Sequence, residues 1–464
     1  MSIDSKQVEP RGAGVPAVNG LAAGKAKRVL VVSYDFPPNR TSAVYRMTGL
    51  TKHLCDFGWA PTVLTIRAGE NTQEPKLLEK LPADVEVIRT PFLRVNGWEN
   101  RVANTIAGAD GLQPAATVHR ERRFARQTRF LAELLRSTLY FPDDTVGWVP
   151  FALSRAIEMH QRKPFDAVYA TSPPRSAPIV GLLMKLFYGV PFVFELMDPW
   201  YPVKGRFRRK SDEWLQALLL RKADRVVVMV PQHAEELSRD FHLPAEKIAV
   251  VRNGFFEEDF ASAEMAKQPP LDPRYFHLSH FGTIYPDNYG SFFSALIELL
   301  RDSPGLRGWL RVNIFGYPCE SVLRYAADGE LKDIMQVRGF LEDRADILQM
   351  MRASDCLLLF WGREDFSKLA VAGKTYDYLR VGRPILALTH EGGVRELVEG
   401  AGAGWAVAPQ DKEGIKQALR MAIEGQRTNE APRPPRPEFV AQFRWECLTE
   451  TLAGVLQGAV DNAR

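Results

Sequence analysis

Residues 369–388 read LAVAGKTYDYLRVGRPILAL. The stretch describes a helix that runs into Gly382, turns at Arg383-Pro384 and enters an apolar strand. Its entrance carries Gly373 and Lys374, and Asp377 follows one turn in. A helix that only fills a core needs none of these. Free N–H groups and the positive end of the dipole point outward at a helix start, so a glycine and a lysine there mark a phosphate site. Asp377 then stands beside whatever the phosphate belongs to.

Outward from this unit the chain alternates strand and helix. RVLVVS (28–33), TVLTI (62–66), VEVI (85–88), DAVYA (166–170), FVFEL (192–196), RVVVMV (225–230) and IAVV (248–251) read as strands of the first half. LSHFGT (278–283), RVNIFG (311–316), IMQVRGF (334–340), CLLLF (356–360), PILAL (384–388) and WAVA (405–408) read as strands of the second. Helical stretches separate them, one over about 42–57. Residues 92–147 are less regular and read as an insertion. Such alternation predicts parallel sheets covered on both faces, hence an α/β protein of two similar domains. KQPPLDP (267–273) and APRPPRPEF (431–439) are Pro-rich linkers, and a last helix spans about 436–458. The expected division is a tail (1–26), a first domain (27–255), a linker (256–275), a second domain (276–435) and a closing segment (436–464).

With 464 residues the chain is too long for one core and of ordinary length for two. Apolar residues make up 45%, charged residues 25%, and the net charge of +4 names no partner. Cys55, Cys319, Cys356 and Cys447 lie far apart without a CxxC pair, which fits a reducing compartment and argues against a zinc site. Residues 1–26 hold no apolar run resembling a signal peptide and read as a disordered tail. APIVGLLMKLFYGVPFVFEL (177–196) has the length of a membrane span, yet Lys185, Pro178, Gly181, Gly189 and Pro191 interrupt it, so a buried helix followed by a buried strand is expected. These readings place the protein in the cytosol.

In open parallel sheets ligands bind beyond the carboxyl ends of the strands, so the loops there carry the chemistry. The first strand leads into SYDFPPNRTSAVYRM (33–47), where two prolines stiffen the loop, Ser42 suits a helix cap, and Arg46 is expected to face the cleft. FVFEL leads into MDPW, in which Asp198 is either a turn residue or a carboxylate that orients or deprotonates an acceptor hydroxyl. Gly282-Thr283 after LSHF allows a ligand close to the backbone. HEGGVRELV (390–398) puts two glycines before a helix bearing Glu396, which a helix entrance alone also explains.

The order of these pieces resembles the GT-B glycosyltransferases of retaining family 4. The matching pieces are FPP…YRMTGLTKHLCDFGW, YATSPP (169–174), VPFVFELMDPW (190–200), KADRVVVMVP…KIAVVRNGF (222–255), FGTIY (281–285), VRGFL…ILQMMRASDCLLLF (337–360), GKTYDYLRVGRPILAL and GGVRELV. The resemblance implies two Rossmann-like domains facing a cleft, a nucleotide-sugar on the second, an acceptor on the first, and a final helix that crosses back to the first. Carried over, Lys374 is a phosphate contact and Asp377 the ribose ligand. Gly373 and Thr375 flank Lys374, and Gly282, Thr283, Arg338, Gly339, Phe340 and Glu396 complete the donor side. Pro38, Arg46 and Asp198 belong to the acceptor side. No cofactor beyond the donor and no metal is implied. Three departures stand out: Asp377 is one methylene shorter than the usual Glu, Leu369 stands where a first Glu is usual unless Asp365 or Glu364 substitutes, and Thr283 and Asn288 occupy positions that often hold Arg and Lys.

Two basic clusters remain, RERRFARQTR (120–129) and KGRFRRK (204–210), interleaved with Phe124, Phe130 and Phe207. They read either as solvated surface or as a peripheral contact with the anionic inner face of the plasma membrane. No nucleic-acid recognition module is present. The leading expectation is sugar transfer from a nucleotide-sugar to a hydroxyl of a bacterial glycan, polysaccharide or lipid-linked acceptor, with retention. The alternative is a non-catalytic GT-B protein that binds a nucleotide-sugar or lipid within a biosynthetic complex.

Overall fold

The computed structural model describes residues 26–39, 41–67, 75–93, 141–200, 206–262, 271–327, 329–428 and 432–463. The expected tail, most of the expected insertion and the cluster at 120–129 lie outside the described residues. Thirteen described strands form two wholly parallel sheets. The first joins β1 (Lys27–Val32), β2 (Trp59–Ile66), β3 (Glu86–Thr90), β4 (Ala167–Ser172), β5 (Phe192–Leu196), β6 (Arg225–Val228) and β7 (Ile248–Val250) in the order β3-β2-β1-β4-β5-β6-β7. The second joins β8 (Phe276–Phe281), β9 (Leu310–Phe315), β10 (Met335–Gly339), β11 (Cys356–Trp361), β12 (Ile385–Thr389) and β13 (Gly404–Val407) in the order β10-β9-β8-β11-β12-β13. The strand order reverses beside the first strand in both, so each sheet has its crevice where β1 meets β4 or β8 meets β11.

The apolar runs of the sequence are strands because both faces of each sheet are covered. On one face of the first sheet Leu30, Val32, Phe192 and Phe194 share a core with the helices Val149–Arg162 and Ala177–Tyr188. On the other, Val29, Val31, Tyr169 and Val193 pack with the helices Ser42–His53 and Trp445–Asn462. The interrupted 177–196 segment is thus a helix followed by β5. No described helix is long and apolar enough to cross a membrane.

The closing segment is two helices, Pro437–Ala441 and Trp445–Asn462, where one was expected. The break follows from pairing: Phe255 N–H donates to Phe443 O at 3.1 Å, and Phe255 bridges Arg444 in parallel. That contact needs extended backbone, which ends the first helix. The second then crosses to the first sheet and lies along the helix Ser42–His53.

The two domains meet over apolar side chains. Met197, Met229 and Val230, just beyond β5 and β6, share a buried cluster with Val371, Ala372 and Val394 of the second domain. Arg46 does not face the cleft as expected. It is 2% exposed, its Nε donates to Glu195 Oε1 at 3.0 Å, its Nη1 to Arg252 O at 2.7 Å and its Nη2 to Val251 O at 2.9 Å. It ties the helix Ser42–His53 to β5 and to the strand exit that leads into the second domain.

Gly49 is where the returning helix seats. A Cβ there would stand 2.3 Å from Cδ2 of Trp445, whose indole is buried. Gly49→Ala should therefore lower stability by about 1–3 kcal/mol, the scale of overpacking in a close-packed interior. Urea denaturation measures this, and an unchanged midpoint would mean that the helix–helix contact is looser than the structure has it.

Candidate active site

Three strands of the second sheet end at glycines with positive φ. Gly282 follows β8 (φ 110°), Gly316 follows β9 (φ 137°) and Gly339 closes β10 (φ 72°). Gly282 N–H donates to Phe315 O and Gly316 N–H to Gly339 O, each at 2.7 Å, so the three exits are laced together. A Cβ on Gly316 would lie 2.3 Å from Gly282 O. Only glycine lets these backbones meet, and the result is a shelf of bare backbone at the carboxyl edge. The helix Lys374–Val381 points its start at the shelf. Lys374 Nζ donates to Phe281 O at 2.5 Å and would be 2.9 Å from a Cβ on Gly282. Among the described residues Lys374 pairs with no carboxylate. Burial pushes its ammonium down to about 8. An uncompensated, largely buried cation is costly, so its place beside a helix N-terminus and bare backbone marks an anion site. Gly373 precedes the helix and is exposed, while Thr375 is buried with a hydroxyl that finds no partner among the described residues.

Asp377 lies one turn behind Lys374. Its Oδ1 accepts from Arg344 Nη2 at 2.5 Å, and Oδ2 has no hydrogen bond among the described residues. Burial raises its carboxyl above the usual range, and the Arg344 guanidinium opposes that rise. At the exits of β9 and β10 the rings of Tyr317 and Phe340 stack, centroids 5.4 Å apart and 14° from parallel, both exposed. Thr283 is exposed beside Gly282. Arg338 is turned to Asn313 Oδ1 (3.0 Å) and Gln336 rather than to Lys374. Glu396 stands at the domain seam, where its Oε1 accepts from Gln232 of the first domain. Leu369 is half-buried, and Glu364 is exposed and paired with Lys368 at 3.3 Å. Asn288 is buried.

Across the seam, Asp198 follows Met197 of the shared cluster. Burial raises its carboxyl, and no described side chain pairs with it. Asp35, in the loop after β1, is raised by burial against hydrogen bonds from Thr41 and Asn39. Pro38 follows it, half-buried. Trp200 Nε1 donates to Ser172 Oγ at 2.9 Å, and the Arg175 guanidinium lies 5.0 Å from its ring. The structure thus gathers Lys374, Asp377, Gly282, Thr283, Gly339 and Phe340 on one edge, with Asp198 and Pro38 at strand exits of the other domain. Sequence reasoning missed Gly316, Tyr317, Asp35, Trp200 and Arg344. A repeated Phe-Gly at strand ends, in SHFGT and NIFGYP, was the available signal for Gly316.

Residues 43–254 match the family described as glycosyl transferase 4-like domain, and residues 276–424 match glycosyl transferases group 1. The chain is a GT-B glycosyltransferase of this family. The glycogen synthase of Mycobacterium tuberculosis is 23% identical over 303 residues, spanning 63% of this chain and 69% of that one. Among solved structures, Anabaena HepE in complex with UDP and glucose aligns over 93% of this chain and 99% of its own, at 16% identity and a TM-score of 0.61. Sucrose-phosphate synthase from Thermosynechococcus elongatus aligns over 93% and 98%, at 13% identity and a TM-score of 0.59. These likenesses are likenesses of fold.

An anion bound at Lys374 would meet a pH limit. The Lys374 ammonium is charged below about pH 8 and loses its proton above it, whereas a bound diphosphate holds the proton on. Affinity for a nucleoside diphosphate should be flat between pH 7 and 8 and fall by up to roughly tenfold per unit above that. Calorimetry across pH 7–9.5 tests this, with Lys374→Met as the control that removes the slope. An equal slope in both proteins would assign it to another group.

Proposed function

We propose that this glycosyltransferase moves a sugar from a nucleotide-sugar to a hydroxyl of a glycan or lipid-linked acceptor, with retention of anomeric configuration, in bacterial cell-surface glycan, polysaccharide or glycolipid biosynthesis. The observation that carries the donor half is the buried Lys374 ammonium, without a carboxylate, at the glycine shelf. A diphosphate leaving group gains charge as the sugar–oxygen bond breaks. A fixed cation and a helix start aimed at that oxygen stabilise it most in the transition state. Lys374 and the helix dipole supply this charge in our reading, without a metal. With retention, the departing phosphate oxygen takes the acceptor's proton. Asp198 orients the acceptor hydroxyl from the first domain. Its raised carboxyl suits a hydrogen-bonding partner of a neutral group. The Tyr317–Phe340 pair offers the base a ring surface, and Asp377 Oδ2 offers the ribose an acceptor. HepE is described in complex with UDP-glucose, and a further fold relative, WaaG (TM-score 0.51), as a glycosyltransferase involved in lipopolysaccharide biosynthesis, which supports these substrate classes.

Turnover of UDP-, GDP- and ADP-sugars, after a thermal-shift panel selects the donor, tests the reading. Lys374→Ala should cut the rate by roughly 100-fold or more. Asp198→Asn should lower transfer and spare donor affinity. If donor affinity falls with it, or transfer is unchanged, Asp198 is a turn residue.

The acceptor domain also carries the surface for a lipid-linked substrate. Arg209, Lys210 and Trp214 are exposed on the helix Arg206–Lys222, which packs beside the helix that ends in exposed Leu186 and Phe187. Basic and aromatic side chains on one face suit an anionic bilayer, at about 1 kcal/mol per basic residue near its surface. We expect co-sedimentation with vesicles containing phosphatidylglycerol at low salt. Most of it should be lost at high salt and on changing Arg206, Arg208, Arg209 and Lys210 to Ser together. A protein that stays in the supernatant at low salt points to a soluble acceptor.

A further inference from the structure

Asp377 shares its cation. Arg344 Nη2 donates to Asp377 Oδ1 at 2.5 Å while its Nε donates to Asp259 Oδ2 at 3.2 Å. Asp259 lies on the short helix Glu257–Ser262 that leads out of the first domain, and its side chain is 6% exposed. Two nearly buried carboxylates on one guanidinium leave an excess negative charge, which a low-dielectric interior does not tolerate. The balance comes from the other domain: Lys80 Nζ meets Asp259 Oδ1 at 2.5 Å and lies 4.5 Å from the centre of the Phe256 ring. Four groups from three parts of the chain, two cations and two anions, are therefore joined, and Lys80 also meets Glu258 at 3.5 Å, with which Lys52 pairs in turn. Within this group, Asp377 Oδ2 has no hydrogen bond among the described residues.

We infer that Arg344 is a positioning residue for the donor's ribose: it fixes Asp377 through Oδ1 so that Oδ2 stays free to accept, and Lys80 of the first domain, by satisfying Asp259, leaves Arg344 to do so. The inference rests on Asp377 being the ribose ligand of the proposed donor site. A bridging guanidinium suits this because its planar, preorganised fork holds both carboxylates in fixed directions, whereas an ammonium is a point charge on a flexible stem. Without Arg344, Asp377 would keep its burial and face Asp259 as a like charge, while the basic side chains one turn away on its own helix, Lys374 and Arg380, are engaged with Phe281 O and Glu257. All of that drives the carboxyl toward its protonated form, which accepts poorly from a hydroxyl. Ribose recognition in the second domain would then depend on a lysine of the first, so that the donor site is complete only when the domains are together.

The test compares a ribonucleoside diphosphate with its 2′-deoxy form, because their ratio of affinities reads the ribose contact and cancels the phosphate contacts. The probe is whichever of UDP, GDP and ADP binds the full-length enzyme most tightly, titrated calorimetrically at pH 6 and 7.5. We expect the wild type to prefer the ribo form by roughly tenfold, the scale of a hydrogen bond to a charged group. Asp377→Asn should reduce the preference to near one. Arg344→Met should reduce it to within about threefold of one, more at pH 6 than at pH 7.5, and Lys80→Met should give an intermediate value. Arg344→Lys keeps a cation without the fork and should also lose most of the preference. It carries the test if thermal melting shows that the methionine variant does not fold. A wild-type preference at both pH values in the Arg344 variants, with Asp377→Asn still losing it, overturns the role of Arg344. An unchanged Lys80→Met overturns the cross-domain half. If Asp377→Asn itself keeps the preference, or no diphosphate binds the wild type, the ribose assignment fails instead.

Discussion

A half-buried ammonium that pairs with no carboxylate among the described residues is the constraint around which the glycine shelf is arranged. Lys374 has no carboxylate partner among the described residues, and a place for an anion from outside is the role we propose for it. The three strand exits at Gly282, Gly316 and Gly339 carry no side chains, which leaves bare backbone and lets Gly316 approach Gly282 where a Cβ would crowd. The carbonyl of Phe281 takes one of the three ammonium protons and leaves the others. Tyr378 on the next turn donates its hydroxyl to Leu358 O at 3.3 Å and receives Phe281 N–H at 3.2 Å, which fixes the helix against β8 and β11. The cost of the buried charge is thus distributed over a rigid frame rather than relieved by a counter-ion, as preorganised charge stabilisation requires.

Much of the fold was legible because a parallel sheet covered on both faces is written as continuous apolar runs. FVFEL and CLLLF were readable to the residue or nearly so. The errors sit where tertiary contacts decide. LSHFGT was read as strand through Thr283, but the positive φ of Gly282 ends β8 at Phe281. The closing helix splits because Phe443 and Arg444 pair with Phe255, almost two hundred residues away in sequence, and no local pattern carries that partner. The helix start at Lys374, with Asp377 one turn in, was legible from the sequence of the helix entrance. Arg46 misled because its position on the first turn gave its direction only if the helix faced the cleft, whereas Glu195 in the middle of an apolar strand held its partner. A lone Glu in FVFEL was the visible hint that some cation must be buried beside it.

The departures in the donor region are easier to understand once the ion pairs are placed. A shorter acid at 377 keeps its carboxylate near its own helix, within reach of Arg344 on the neighbouring helix Arg344–Ala353. Asp343 caps that helix by accepting from Ala345 N–H at 2.9 Å, which sets where Arg344 emerges. Position 369 carries Leu, half-buried beside the Trp361–Ala370 contact, so the loop is anchored by packing and by Trp361 Nε1 donating to Ala370 O at 3.3 Å.

The seam between the domains divides into two kinds of contact with different consequences. Its apolar part, Met197, Met229 and Val230 against Val371, Ala372 and Val394, is insensitive to salt and fixes how the strand exits face one another. Its ionic part is one-signed: Lys52, Lys76 and Lys80 of the first domain meet Glu258, Asp343 and Asp259 of the connecting helix and second domain. The Lys76 pair is largely exposed and contributes at most about 1 kcal/mol, less at high ionic strength. The Lys80–Asp259 pair is shielded and charge-balanced with Arg344 and Asp377, so screening reaches it weakly. Raising the salt should therefore loosen the outer clasp first and leave the inner set intact. The apolar seam and the Lys80 set hold the domains in register, while the exposed pairs tune how readily they part.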